Sequence, residues 1–186
     1  MRRIRIVVAY DGTNYCGWQI QPNGITIEEI LNRQISKLTG EDIRIIGASR
    51  TDSGVHALGN VAVFDTESRI PGDRFAYALN QKMPEDIVIV RSDEVQIDWH
   101  PRYQNEISKT YEYHIYNAKV RNPLKNRYST FVSFDLDVEK MRQGAKYILG
   151  EHDFASFCNV RTNAKDTVRT AVSYTHLRAH ETSAHL

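Results

Sequence analysis

The chain of 186 residues suits one domain or two small ones, and its shares of hydrophobic (41%) and charged (25%) residues are typical of a soluble globular protein. It has no apolar run near the roughly 20 residues of a membrane-spanning helix, and its basic start turns polar too soon for a signal peptide. The formal net charge of +1 neither indicates nor excludes a nucleic-acid ligand, because an average hides local patches. Cys16 and Cys158 lack metal-binding or redox spacing, so we expect a cytoplasmic protein with reduced thiols.

Hydrophobic periodicity predicts a succession of strands and helices. The strands have apolar residues at every second position, and the helices have an apolar stripe at three- and four-residue spacing. Thr26 and Glu29 form a capping box at the start of the first helix, and Asp137 caps the last helix. In chain order, the predicted elements are a strand at 2–10, a helix at 26–40, strands at 42–48 and 60–66, a helix at 73–83, strands at 86–97 and 106–117, and a helix at 137–150.

The order of elements through residue 97 predicts the fold class. A β-α-β-β-α-β succession is the pattern of ferredoxin-like α+β folds, in which an antiparallel sheet carries its helices on one face. No repeat or low-complexity linker interrupts the chain, so any domain boundary is expected to be compact and close to Pro101–Asn105.

A basic, tyrosine-rich segment lies between His100 and Ser129. It has six Lys or Arg residues against two acidic residues, and it holds five of the ten tyrosines of the chain. Cations that neutralise phosphates, interleaved with rings that stack on bases, are what an RNA-binding surface needs. The plainer interpretation is an antiparallel strand with tyrosines on both faces and a basic loop after it, and composition alone favours that interpretation.

The stretch Gly47–Asn60 concentrates chemically active and conformationally permissive residues between two predicted strands. Asp52 lies near Arg50, and a guanidinium favours an ionised carboxylate, so Asp52 is a candidate nucleophile or base. Gly54 permits a sharp turn and the close approach of a ligand. The alternative is an Asx-type turn in which Asp52 caps its own loop, the usual role of an isolated Asp-x-Gly. His56 is a candidate acid–base group, although a lone histidine at such a position is more often structural.

A second candidate site follows the first predicted strand. Asp11-Gly12-Thr13 is similar to the aspartyl-phosphate loop of haloacid-dehalogenase-type phosphatases, but that chemistry needs a nucleophilic aspartate where Ala9 stands. The phosphatase hypothesis therefore fails. We expect a turn after the strand instead, in which Trp18 and the two glutamines that follow it pack or touch a ligand.

Five sequence blocks occur in one order along residues 3–170. Together they closely resemble the TruA family of tRNA pseudouridine synthases. Each block alone is weakly specific, whereas the ordered series is highly specific. The blocks are YDGTNYCGWQIQ, GASRTDSGVHALGN, YALNQKMPEDI, WHPRYQNEISKTYEYHIYN and ILGEHDFASF.

This resemblance implies an isomerisation of uridine to pseudouridine in the tRNA anticodon stem-loop, without metal or organic cofactor. The catalytic aspartate of the family corresponds to Asp52, acting by attack at the sugar C1′ or on the base, or by proton abstraction from the ribose. Arg50 is implied to hold the place of the flipped nucleotide and to contact its backbone. Tyr111 is implied to stack on the target base and to assist proton transfer. The basic segment Lys119–Arg127 would then hold tRNA phosphates.

The resemblance also implies how the chain is organised. It predicts an N-terminal ferredoxin-like subdomain with the catalytic loop at 1–103, followed by an incomplete second α/β subdomain of the pseudouridine synthase fold at 104–172. Residues 173–186 are expected to form a non-family tail. A homodimer that lays one tRNA across both subunits is implied as well.

The chain departs from the family pattern at two kinds of position. Ser49 and Ser53 stand where the family usually has glycine and alanine, and Ser49 would be strained if its position required a positive φ. At 173–186 a histidine-rich sequence stands where the family continues with core strands and an arginine that pairs with the catalytic aspartate. Two alternative hypotheses therefore remain beside the enzyme: a tRNA-binding but inactive fragment, and a fragment that neither binds nor reacts.

Overall fold

The computed structural model describes residues 1–103, 108–158 and 166–173, and the predicted tail at 173–186 lies almost wholly outside them. The chain divides into two compact units, with the boundary between Thr110 and Tyr111. The predicted α+β class is confirmed, because an antiparallel sheet and α-helices occur together in the first unit. No helix in the described part of the chain is long and apolar enough to cross a membrane.

The first unit is built on a four-stranded antiparallel sheet. Its elements are β1 (Arg2–Tyr10), α1 (Ile27–Thr39), β2 (Ile46–Gly47), β3 (Ala57–Thr66), α2 (Phe75–Asn80) and β4 (Ile87–Val95). The strand order is β2-β3-β1-β4, and each neighbouring pair is antiparallel. The first strand therefore lies at the centre, between two strands that follow it much later in the chain.

One hydrophobic cluster joins this sheet to both helices. Strand β1 contributes every second side chain to the cluster, as expected for a strand with one buried face. The ring centroids of Phe64 and Phe75 are 5.3 Å apart in an edge-to-face arrangement that ties β3 to α2. Other members of the cluster are Ile4, Ile6, Val8, Ile27, Ile30, Leu31, Ile35, Ala62, Leu79, Ile87 and Ile89.

The other side chains of β1 form charged pairs with the neighbouring strands. Arg3 donates two hydrogen bonds to the Asp65 carboxylate of β3 (2.6 and 2.7 Å). Arg5 donates two to the Asp93 carboxylate of β4 (3.1 and 2.7 Å). Both pairs join residues that are directly opposite in the sheet, so these bidentate contacts support the strand register.

The start and end of α1 agree with the sequence prediction. The Thr26 side chain accepts a hydrogen bond from Glu29 N–H (3.4 Å), and Gly40 follows the last turn in the left-handed conformation. The predicted strand at 42–48 is reduced to two residues. Ile43 and Ile45 instead direct their backbone N–H groups to side chains of α1, because both residues are buried against that helix.

The described residues of the second unit form two small two-stranded sheets and one α-helix. Its elements are β5 (Ile115–Asn117), β6 (Thr130–Val132), α3 (Val138–Lys146), β7 (Gly150–Asp153) and β8 (Val168–Ala171). Strands β5 and β6 are parallel, and β7 and β8 are antiparallel. The Asn117 carboxamide donates to the carbonyls of Val132 (2.9 Å) and Phe134 (2.7 Å), which holds the parallel pair together. The Asp137 side chain caps α3, as predicted.

Two predictions for this unit were wrong in extent. The strand predicted at 106–117 is limited to Ile115–Asn117: residues 108–114 pair with no strand in the described part of the chain, and residues 104–107 lie outside it. Alternation alone does not make a strand without a partner. The helix predicted at 137–150 ends at Lys146, where the backbone bonds change to three-residue spacing: Ile148 N–H donates to the Ala145 carbonyl oxygen and Leu149 N–H to that of Lys146. Strand β7 then begins at Gly150.

The fully buried Phe75 gives a test of the core of the first unit. We expect Phe75→Ala to lower the free energy of unfolding by about 3–5 kcal/mol, because it removes the edge-to-face contact and leaves a cavity. Urea denaturation followed by tryptophan fluorescence measures this, since Trp18 and Trp99 both lie in the first unit. The control Tyr77→Ala, at a side chain that is 70% exposed, should change stability by less than about 0.5 kcal/mol. Equal effects of the two variants would contradict this packing.

Candidate active site

The loop that contains Asp52 connects β2 to β3 and runs beside the segment that follows β1. Trp18 N–H donates to the Thr51 carbonyl oxygen (3.0 Å), and Gly54 N–H donates to the Tyr15 carbonyl oxygen (3.3 Å). These bonds lie on the two sides of Asp52, so they fix the loop before and after this residue. We call this contact the backbone clamp, formed by residues 15–18 and 51–54.

Two further hydrogen bonds strengthen the backbone clamp. The Ser53 hydroxyl donates to the Tyr15 carbonyl oxygen (3.2 Å), so this departure from the family pattern adds a bond. On the other side, the Gly17 carbonyl oxygen accepts from Ile27 N–H (3.1 Å) at the start of α1. Because Ile27 and Ile30 in the first turn of α1 belong to the hydrophobic core, this bond links the clamp to the core of the first unit.

The close approach of the two segments requires glycine at two positions. A Cβ atom at Gly12 would overlap the Val55 carbonyl oxygen. Gly17 has a φ of +83°, and a Cβ atom there would lie 2.5 Å from the Thr51 carbonyl oxygen. A side chain at either position would push the loop away, so these glycines determine where the Asp52 loop lies.

The Asp52 side chain has no structural task in its own loop. The turn is closed by the backbone, where Val55 N–H donates to the Asp52 carbonyl oxygen (3.2 Å). The carboxylate is exposed, and among the described residues it has no hydrogen-bond or ion-pair partner, Arg50 included. The alternative of an Asx-type turn capped by Asp52 is therefore not what the structure forms.

Asp11 and His56 hold the far end of the same loop. The Asp11 carboxylate accepts from Thr13 N–H (3.0 Å) and so caps the turn after β1, which confirms the turn predicted there. The backbone N–H of Gly12 donates to His56 Nδ1 (3.2 Å), and Asp11 Oδ1 lies 3.0 Å from the same nitrogen. His56 therefore helps to join the turn after β1 to the Asp52 loop, which is a structural role.

Two buried polar side chains, those of Tyr10 and Asn60, contact the Asp52 loop at or just before the backbone clamp. The Tyr10 hydroxyl is 2.9 Å from the Thr51 hydroxyl oxygen, and burial raises the pKa of Tyr10. The Asn60 carboxamide donates to the Ser49 carbonyl oxygen (3.0 Å), and no described residue other than glycine has a positive φ, so Ser49 is not strained.

Tyr15 connects the clamp to the start of β4. Its hydroxyl donates to the Asp86 carboxylate (2.5 Å). Burial, followed by this hydrogen bond and the negative charge of Asp86, raises the pKa of Tyr15 above its ordinary value. The phenol therefore stays protonated and keeps donating to Asp86 at every physiological pH.

A pocket of about 410 Å³ opens beside the Asp52 loop. One wall is the loop itself, and the other is the turn after Trp18, which is held by a hydrogen bond from Ile20 N–H to the Glu28 carboxylate (3.0 Å). The second wall carries carboxamides, which can both donate and accept hydrogen bonds. The lining residues are Cys16, Gln19, Ile20, Gln21, Asn23, Arg50, Thr51, Asp52 and Ser53.

The structure brings two of the three predicted site residues together. Arg50 and Asp52 line the same pocket. Tyr111 lies in the second unit, in the stretch without regular structure, and its side chain is 76% exposed. Within the described residues, no group of three or more His, Cys, Asp or Glu side chains is placed to share a metal ion.

The basic segment of the second unit combines cations with aromatic rings. Lys125 Nζ lies 4.7 Å from the centre of the Tyr116 ring, and the Arg121 guanidinium carbon lies 5.1 Å from the centre of the Phe131 ring. The two ring centroids are 6.2 Å apart. Lys119 forms an exposed ion pair with Asp135 (2.8 Å). The segment therefore combines cations with half-buried rings, a mixture of residue types that RNA-binding surfaces also use.

Sequence reasoning missed the clamp and the carboxamide wall as features of the site. Trp18 and the glutamines after it were expected to pack or to touch a ligand: Trp18 is buried, which confirms packing, and the glutamines line the pocket. The contribution of Cys16 and Asn23 was not foreseen. The two glycines of the turn after β1, Gly12 and Gly17, were the available signal for a close approach of backbone.

Comparison with known proteins identifies the family. The family model described as tRNA pseudouridine synthase matches residues 6–104. A protein from Acetivibrio thermocellus called tRNA pseudouridine synthase A is 51% identical over 170 residues, which is 91% of this chain and 69% of that protein. Proteins of the same name from a Thermoanaerobacter species and from Brevibacillus brevis are each 45% identical, over 94% and 91% of this chain and 71% and 69% of their own lengths. The chain belongs to the tRNA pseudouridine synthase family.

Proposed function

We propose that this protein isomerises uridine to pseudouridine in tRNA and that Asp52 is its catalytic residue. The observation that carries the proposal is the exposed Asp52 carboxylate, which has no partner among the described residues although the backbone clamp holds its loop on both sides. A loop fixed this firmly around a side chain without a structural task is the arrangement that a positioned nucleophile or base needs.

The reaction is balanced without a second reactant. The bond between C1′ of the ribose and N1 of uracil breaks, a bond between C1′ and C5 forms, the proton on C5 is lost, and N1 gains a proton. The Asp52 carboxylate acts on the nucleoside by attack at C1′ or on the base, or by removing a ribose proton. Each route requires a carboxylate held close to the nucleoside, at either its sugar or its base, and none requires a net oxidation or reduction.

The pocket beside Asp52 suits a nucleotide that has left its helical stack. Its volume of about 410 Å³ lies within the usual range of small-ligand sites. Enzymes that act on a base extrude it from the stack, at a cost of a few kcal/mol, and read it by hydrogen bonds and stacking. In this proposal Arg50, which lines the same pocket, contacts the backbone of that nucleotide and fills its place in the stack.

The second unit supplies further contacts in this proposal. Tyr111 stacks on the target base and assists proton transfer, and the exposed cations of Lys119–Arg127 bind tRNA phosphates. The mixture of cations and rings around Tyr116 and Phe131 supports this assignment, because phosphates and bases are then recognised by one surface.

Several finer assignments belong to the same proposal. The target uridines lie in the anticodon stem-loop, and the enzyme works in the cytoplasm as a homodimer. The strand order and antiparallel pairing of the first unit support a ferredoxin-like catalytic subdomain at 1–103, with residues 104–172 as the second subdomain and 173–186 as a tail.

The catalytic assignment predicts the effect of Asp52→Asn. This variant keeps the shape of the side chain but removes its charge, so the single-turnover rate of pseudouridine formation in an unmodified tRNA should fall at least about a hundredfold. The dissociation constant for tRNA should change less than about threefold, because the clamp does not use the side chain. Nucleoside analysis of the digested tRNA measures the rate, and filter binding measures the affinity.

The matched control is Asp42→Asn, an exposed carboxylate of the same unit outside the pocket, and it should leave the rate unchanged. Turnover of Asp52→Asn at the rate of the unaltered protein would refute the catalytic role. If the unaltered protein binds tRNA without turnover, the binding-only hypothesis replaces the enzymatic one.

The stacking assignment predicts the effect of Tyr111→Ala. Loss of a base-stacking ring is worth about 1–3 kcal/mol, so the rate should fall roughly 5- to 150-fold. The rate should fall less in Tyr111→Phe, which keeps the ring, so this variant isolates the contribution of the hydroxyl group. The control Tyr113→Ala removes a ring that is 90% exposed and two residues away. Equal rates for Tyr111→Ala and Tyr113→Ala would exclude a specific role of Tyr111.

A further inference from the structure

A second cleft of the first unit contains cations that the proposed catalytic site does not use. It lies between α1 and the loop that joins α2 to β4, and its volume is about 360 Å³. We call it the Arg33 cleft, and its lining includes Asn14, Ile25, Arg33, Gln34, Lys82 and Met83.

The two cations of the Arg33 cleft are available to a ligand. Arg33 and Lys82 are exposed, and neither has an ion-pair or hydrogen-bond partner within the described residues. The nearby Asp86 carboxylate is already occupied, because it accepts hydrogen bonds from the Tyr15 hydroxyl (2.5 Å) and from Asn14 (3.5 Å). Asp86 is not among the residues that line the cleft, and the lining contains the two cations and no acidic residue, which suits an anionic partner.

The Arg33 cleft adjoins the catalytic loop through a single residue. Tyr15 lines the cleft, and its carbonyl oxygen accepts the hydrogen bonds of Gly54 and Ser53 in the backbone clamp. The cleft and the Asp52 pocket thus lie on either side of the segment that contains Tyr15. Consecutive residues line the two cavities, Tyr15 the cleft and Cys16 the Asp52 pocket, so the two cavities are neighbours.

We propose that the Arg33 cleft binds the phosphodiester backbone of the RNA next to the uridine that enters the Asp52 pocket. Arg33 and Lys82 neutralise phosphates, and the carboxamides of Asn14 and Gln34 donate to phosphate or ribose oxygens. The exposed apolar surface of Ile25, which is 56% accessible, packs against ribose carbons. This inference rests on the proposed function, since it assumes that RNA occupies the Asp52 pocket.

The test measures the salt dependence of tRNA binding. The dissociation constant of the full chain for unmodified tRNA is determined by filter binding over a series of KCl concentrations. In the double variant Arg33→Gln/Lys82→Gln, the slope of log K against log salt should be smaller by about 1.4–1.8, since each phosphate contact contributes about 0.7–0.9. Binding should also be weaker at low salt.

The control is Arg69→Gln, which should leave the slope unchanged. Arg69 is exposed and lies near the start of β1, at the end of the sheet opposite to the cleft. Thermal unfolding of both variants shows that the exposed substitutions leave the fold intact. If the double variant has the same slope as the unaltered chain, and turnover is present, the proposed RNA binding by the Arg33 cleft is overturned but the proposed function is not. If the unaltered chain does not bind tRNA at all, both the proposed role of the cleft and the proposed function are overturned.

Discussion

The close contact between the turn after β1 and the loop between β2 and β3 is the constraint on which the site depends. The two segments are far apart in sequence, but their backbones are hydrogen-bonded to each other. A side chain at Gly12 or Gly17 would overlap the facing backbone and prevent this close contact. The same turn is bonded to the first residues of α1, whose side chains lie in the core. The position of the Asp52 loop thus follows from the core through these backbone hydrogen bonds, and the side chains of Ser53 and Asn60 add further bonds to the same loop.

This arrangement explains how an exposed carboxylate can be positioned without being buried or paired. Burial or an ion pair would fix Asp52, but either would also compete with a substrate for the carboxylate. Here the neighbours of Asp52 are restrained, and the side chain remains open to the pocket. Other side chains form the structural contacts around the loop: His56 bonds to the backbone of Gly12, and Tyr15 bonds to Asp86. The Asp52 carboxylate is thus left without a structural contact among the described residues.

Local sequence patterns predicted the elements that local forces determine. The cap of α1 at Thr26 and the cap of α3 at Asp137 are short-range hydrogen bonds, and both were readable from residue types. The strand predicted around Tyr111 was wrong because pairing depends on a partner that alternation does not reveal. The prediction that Asp52 is catalytic came mainly from the ordered blocks, since its local pattern favours an ordinary turn. The backbone clamp escaped prediction because it joins two loops by main-chain atoms, which leave no pattern of side chains.

The central claim is that the backbone clamp positions Asp52 for catalysis, and Gly17→Ala tests it most directly. A misplacement of about 1 Å can cost about a hundredfold in rate, so the single-turnover rate of pseudouridine formation at saturating tRNA should fall by about that factor, with affinity within about threefold. The control Gly144→Ala, where an added Cβ meets nothing within 4 Å, should keep the normal rate. A folded Gly17→Ala protein that reacts at the normal rate would contradict the account.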